Sequence, residues 1–171
     1  MANLVCYIPF PRIGRIIAQG CLRTEGNELV QYAQAQNAQI PPTRNGVPLT
    51  QLNLVYLNEE TPQNRLGVGD VLVVFAHGGD NDTELSDNAG NDIEQNDLLQ
   101  RLVLLNAAVA SEIYFFACFS ALPEHIGPTF KSLNGNIRVY GKNDTAEGGL
   151  AKYTRTGFRT AVWKEKQLVE V

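Results

Sequence analysis

The sequence predicts an α/β fold with a mostly parallel central sheet flanked by helices, and three observations lead to it. Residues 71–75 (VLVVF) are an uncharged, β-branched run entered through Gly67, Gly69 and Asp70 and left through His77, Gly78 and Gly79. A short apolar run bounded by turn residues marks a strand buried on both faces. Residues 113–117 (IYFFA) are a second apolar run and deliver Cys118, and residues 137–140 (IRVY) form a further strand ended by Gly141. Helical spacings separate these runs. Such alternation implies parallel strands joined by right-handed crossovers.

Taken in order, residues 4–8 form a first strand, stopped by Pro9 and Pro11. Residues 13–22, interrupted by Gly14 and Gly20, leave their secondary structure open. Residues 25–36 read as a helix with apolar positions at Leu29, Tyr32 and Ala33, ending before Pro41 and Pro42. Residues 41–48, with Asn45-Gly46, make a loop or turn, and residues 51–57 (QLNLVYL) a strand entering the sheet. Residues 78–91 read as a polar loop. The following helix carries Leu98, Leu102, Leu105 and Val109 at i, i+4, i+7 spacing, with Leu99 and Val103 beside them. A second helix spans residues 122–133 and contains His125. From Lys152 onward polar and apolar residues alternate, as in a β-hairpin or edge strands. Without repeats or a linker, residues 1–171 read as a single domain.

At 171 residues the chain suffices to bury roughly 70% of its unfolded surface. A net charge of −4 argues against nucleic acid or an anionic membrane as main partner, and no run of 18 apolar residues is present to span a bilayer. The N-terminus lacks the basic and apolar regions of a secretory signal. Three cysteines, an odd number, favour free thiols in a reducing, cytoplasmic setting, with export by a signal-independent route left open. Two histidines and scattered cysteines have no metal-ligand spacing, so neither metal nor cofactor is expected.

The chemistry lies where the strands end. In open α/β sheets ligands bind at the carboxyl ends of the strands. His77 and Cys118 leave two strands at that edge, 41 residues apart, which is room for a loop, a crossover helix and a strand. A thiol attacks a carbonyl as thiolate and needs a neighbouring base, and the resulting oxyanion needs amide donors. The amides of Gly78 and Cys118 suit that role, because glycine has no Cβ to block the approach. Cys6 and Cys21 lack such a setting. A lipase-like role for His77-Gly78-Gly79 would need a Gly-x-Ser-x-Gly elbow, and Ser120 lies instead in CFSAL.

An apolar strand ending in His-Gly (VVFAHG), followed by one ending in Ala-Cys (IYFFAC), resembles the caspase-like (clan CD) cysteine peptidases over residues 71–140. The resemblance implies a three-layer caspase-like fold, Cys118 as nucleophile, His77 as proton-transfer partner and the Gly78 amide in the oxyanion hole. Phe116 stands where the caspase signature has Gln, and Phe119-Ser120 follows the cysteine, so caspase aspartate specificity is not carried over. The implied activity is peptide-bond hydrolysis in a protein or peptide substrate, which includes self-processing. The other class is a non-catalytic interaction module on the same fold.

Seven acids, Asp80, Asp82, Glu84, Asp87, Asp92, Glu94 and Asp97, fall within 18 residues that contain no Lys or Arg. A solvated loop is the ordinary reading of such a run. Weak calcium binding and attraction of a basic substrate are the competing ones. Asp80, which follows His77 on its loop, and Asp144 and Glu147, which the resemblance puts near the pocket after the third strand, are the expected substrate-binding carboxylates, favouring Lys or Arg before the scissile bond. The C-terminal cations Lys142, Lys152, Arg155, Arg159, Lys164 and Lys166 read as an ordinary charged edge.

Overall fold

The computed structural model describes residues 2–12, 49–87, 89–143 and 168–171. The expected helix at 25–36, the loop at 41–48, Cys21, Asp144, Glu147 and the cations beyond Lys142 lie outside the described residues. So does the start of the alternating tail.

Six strands form one sheet in the order β2-β1-β3-β6-β7-β8. They are β1 (Ala2–Ile8), β2 (Leu49–Tyr56), β3 (Val71–Phe75), β6 (Glu112–Phe116), β7 (Arg138–Gly141) and β8 (Val169–Glu170). Every pairing from β2 to β7 is parallel, and β8 alone runs antiparallel, against β7. This is the expected α/β architecture with a mostly parallel sheet, closed by a two-residue edge strand. The strand limits differ from the sequence reading by one or two residues. β6, for instance, starts at Glu112 because that residue pairs with Val71 and accepts the Tyr114 hydroxyl hydrogen bond in the core.

All residues of β3 and β6 are buried, as central strands covered on both faces require, including Glu112, which accepts the Tyr114 hydroxyl. Their register sets Val71 opposite Glu112 and Phe75 opposite Phe116. β3 is entered through a carboxylate clamp. Asp70 accepts the backbone N–H groups of Asn3 and Gly67, each at 2.8 Å, while Gly69 turns at φ +88°. A left-handed φ of this kind is what glycine permits at little cost.

Two helices cross between strands, and both are shorter than their apolar patterns. α1 (Gln95–Leu104) buries Leu98 and Leu102. The apolar spacing continues to Val109, but Asn106 adopts φ 60° and its side-chain amide donates to the Leu66 carbonyl, which ends the helix. Residues Ala107–Val109 form a separate 3₁₀ turn. α2 (Ile126–Leu133) begins four residues after the expected start, because Glu124 lies at φ 69° next to Pro123. Pro128 is tolerated in its first turn, where an N–H would lack a helical partner. Phe130 of α2 packs edge-on against Phe115 at 5.9 Å.

Residues 78–91 are not simply a polar loop. Within them β4 (Leu85–Ser86) pairs antiparallel with β5 (Asp92–Ile93), burying Leu85 and Ile93 and attaching a small ribbon to the end of β3. Among the described residues no helix is long and apolar enough to cross a membrane.

Candidate active site

His77 follows β3 by two residues and is held by its backbone. Its N–H donates to the Ser86 carbonyl at 2.9 Å and its carbonyl accepts the Ser86 N–H at 3.0 Å, an isolated antiparallel bridge to β4. The imidazole is half-buried. Burial pushes its pKa below the ordinary 6.5, and the nearby Asp87 carboxylate works against that shift. His77 is therefore neutral at pH 7, the form in which it accepts a proton.

Cys118 follows β6 by two residues, the same offset from its strand as His77 from β3. Its thiol is half-buried and forms no disulfide among the described residues. The Ser120 N–H donates to the Ala117 carbonyl at 3.3 Å, so Cys118 and Phe119 are the central residues of a tight turn. Phe119 lies at φ 58°. For a bulky side chain this left-handed conformation is an outlier that surrounding structure has to enforce. Here the enforcement is visible. Ser120, itself buried, donates its hydroxyl to the Phe115 carbonyl and accepts the Lys142 N–H, while the Ala121 N–H donates to the Lys142 carbonyl. Three glycines admit the turn. A Cβ on Gly78 would collide with the Cys118 carbonyl oxygen, one on Gly127 would lie 2.5 Å from the Ser120 oxygen, and one on Gly141 2.9 Å from the Ala121 nitrogen.

The close approach of Gly78 to the Cys118 carbonyl joins the two strand ends. It sets His77-Gly78 directly beside Cys118, on adjacent parallel strands and at the same sheet edge. Compared with known proteins, the chain matches no protein-family model, no curated protein and no solved structure.

A recess of about 300 Å³ opens beside His77, lined by Gly78, Asp82, Glu84, Leu85 and Asp92. Asp80 lines a neighbouring recess of about 320 Å³ instead, with Asp82, Leu122 and His125. Of the carboxylates in the His77 recess, Asp92 belongs to β5, and Asp82 and Glu84 lie in the segment that leads into β4. A larger recess of about 670 Å³, lined by Phe10, Leu57, Ile93 and Arg101, includes neither His77 nor Cys118. Among the described residues no group of His, Cys, Asp or Glu is arranged to hold a metal ion.

Several residues depart from their sequence reading. Lys142 is not part of a solvated edge: it is 1% exposed, with Nζ 5.6 Å from the centre of the Phe116 ring. Asp87 is not a solvated loop acid, being fully buried. Its Oδ1 accepts the N–H groups of Ala89 and Asn91, and its Oδ2 accepts the Asn91 side-chain amide. The stretch Asp87-Asn88-Ala89-Gly90-Asn91 does carry the signal, since Asp and Asn at such spacing form side-chain-closed turns. His125 is buried and stands just before α2 as its N-cap residue, not within the helix as the sequence reading had it.

Proposed function

We propose that the chain is a caspase-like cysteine endopeptidase in which Cys118 and His77 form the catalytic pair. The observation that carries this reading is the packing of Gly78 on the Cys118 carbonyl, which makes the His77-Gly78 and Cys118 backbones neighbours at the carboxyl edge of the sheet, where ligands bind in open α/β folds. Neutral His77 takes the proton of Cys118, and the thiolate sulfur bonds to the scissile carbonyl carbon. The oxyanion is met by the amides of Gly78 and Cys118. His77 then passes its proton to the leaving amine as the C–N bond breaks. Water, deprotonated by His77, hydrolyses the thioester and releases the thiol.

The substrate is a protein or peptide with Lys or Arg before the scissile bond. Asp82, Glu84 and Asp92 around the His77 recess join Asp80 as the carboxylates that favour it.

Alkylation and a peptide library test the reading together. Cys118 is expected to react with iodoacetamide near neutral pH much faster than Cys6, and a library to be cleaved by the native chain but not by Cys118→Ala. Slow labelling of Cys118 with no cleavage would assign the chain to the non-catalytic module class. Cleavage preferring Asp, Glu or a small apolar residue would overturn the basic specificity alone.

A further inference from the structure

The β4–β5 ribbon does more at the site than line a recess. It meets His77 through the backbone bridge to Ser86, and the residue that follows β4 is Asp87. That side chain is 0% exposed, unlike Asp80, Asp82 and Asp92 of the same acidic stretch, which face solvent. Three loop donors clamp it: the Ala89 N–H at 2.7 Å, the Asn91 N–H at 3.0 Å and the Asn91 amide at 2.8 Å. A carboxylate held by N–H donors stays ionised, because they stabilise the charged form. Buried, it also acts on a neighbouring imidazole with little screening by salt. Burial alone would penalise a protonated His77, and the Asp87 charge opposes that penalty.

We propose that Asp87 is a positioning residue for His77: its clamped carboxylate, one residue beyond the bridge that holds the His77 backbone, orients the imidazole toward Cys118 and stabilises it once it carries the thiol proton. This rests on the cysteine peptidase reading. The attacking pair alone needs no third residue; Asp87 supplies the fixed negative charge that keeps a half-buried imidazole able to accept a proton. The other titratable groups around His77 are Asp82, Glu84 and Asp92 in the recess and Cys118 on the neighbouring strand end.

The chain has two histidines, so an NMR titration resolves two imidazole signals, and the one that disappears in His125→Asn identifies the other as His77. Asp87→Asn is expected to lower the His77 midpoint by about one pH unit, a tenfold loss of proton affinity, at the low end of what an adjacent opposite charge does. The pH dependence of Cys118 alkylation should move with it. Asn91→Ala, which removes one of the three clamp donors but keeps the charge and both backbone donors, should lower the midpoint less than Asp87→Asn does. An unchanged midpoint in folded Asp87→Asn, or an equal drop in Asn91→Ala, overturns the proposal. Should Asp87→Asn not fold, the triple variant Asp82→Asn, Glu84→Gln, Asp92→Asn decides. A steady midpoint there supports Asp87, and a tenfold drop assigns the charge to the recess acids instead. Because the titration needs no substrate, it separates failure of this inference from failure of the peptidase reading, which shows as slow Cys118 alkylation.

Discussion

The two ends of β3 are each fitted with a buried carboxylate, and the two serve different ends. At the amino end, Asp70 binds, among the described residues, only backbone N–H groups, those of Asn3 and Gly67, and so ties β1 to the turn that starts β3. At the carboxyl end, Asp87 is clamped in the same manner by Ala89 and Asn91 but lies near a titratable side chain, His77. Local satisfaction of a carboxylate is thus no guide to its role. What distinguishes the two is the company beyond the clamp: backbone alone at one end, an imidazole and a thiol-bearing strand at the other.

The largest expected effect tests whether chemistry is confined to the carboxyl end. Cys118→Ala should abolish peptide cleavage while costing at most about 1–2 kcal/mol in denaturant unfolding, since little volume is lost. Residual cleavage at the native rate would move the nucleophile elsewhere. Next comes Gly78→Ala. Its Cβ collides with the Cys118 carbonyl, so β3 and β6 must separate at their ends. Loss of most activity is expected, with about 1–3 kcal/mol of destabilisation from overpacking. A variant of native activity and stability would show that the strand ends yield freely.

Asp70→Asn is the counterpart at the amino end. It leaves one backbone N–H without its acceptor, so unfolding free energy should fall by about 1–3 kcal/mol. The rate of Cys118 alkylation in the folded variant should not change; a slower rate would mean that the two ends are coupled through β3. The smallest effect is in the pH dependence of stability. The folded pKa of His77 lies below its unfolded value, so the unfolded chain binds the extra proton. Stability should therefore decline as pH falls from about 6.5 through the lowered folded pKa, and His77→Gln should flatten that decline in urea titrations.

Much of this contrast could be read from the residues in advance. The uncharged runs at 71–75 and 113–117 fixed the central strands and delivered His77 and Cys118 to one edge, because burial on both faces leaves a parallel strand almost no polar alternative. The helix limits were less legible. Apolar periodicity runs past Leu104 without a break, whereas the stop is made by the left-handed backbone of Asn106 and its bond to Leu66, a tertiary contact. Asp87 escaped for a related reason: in a run of seven acids, charge density points to solvent, and only the clamp from Asn91 turns one of them inward. Lys142 misled in the same way, its charge suggesting an exposed edge where the chain sets it over Phe116.

Cys6 gives the molecule a second, unrelated use for a thiol. It sits mid-strand in β1, hydrogen-bonded on one side to β2 and on the other to β3, with no exposed surface and a pKa driven upward by burial. A central strand does not fray, so a reagent reaches this sulfur only when the sheet itself comes apart. Its labelling rate, followed by mass spectrometry of the Cys6 peptide, is a clock for global opening under native conditions, running independently of whatever happens at Cys118.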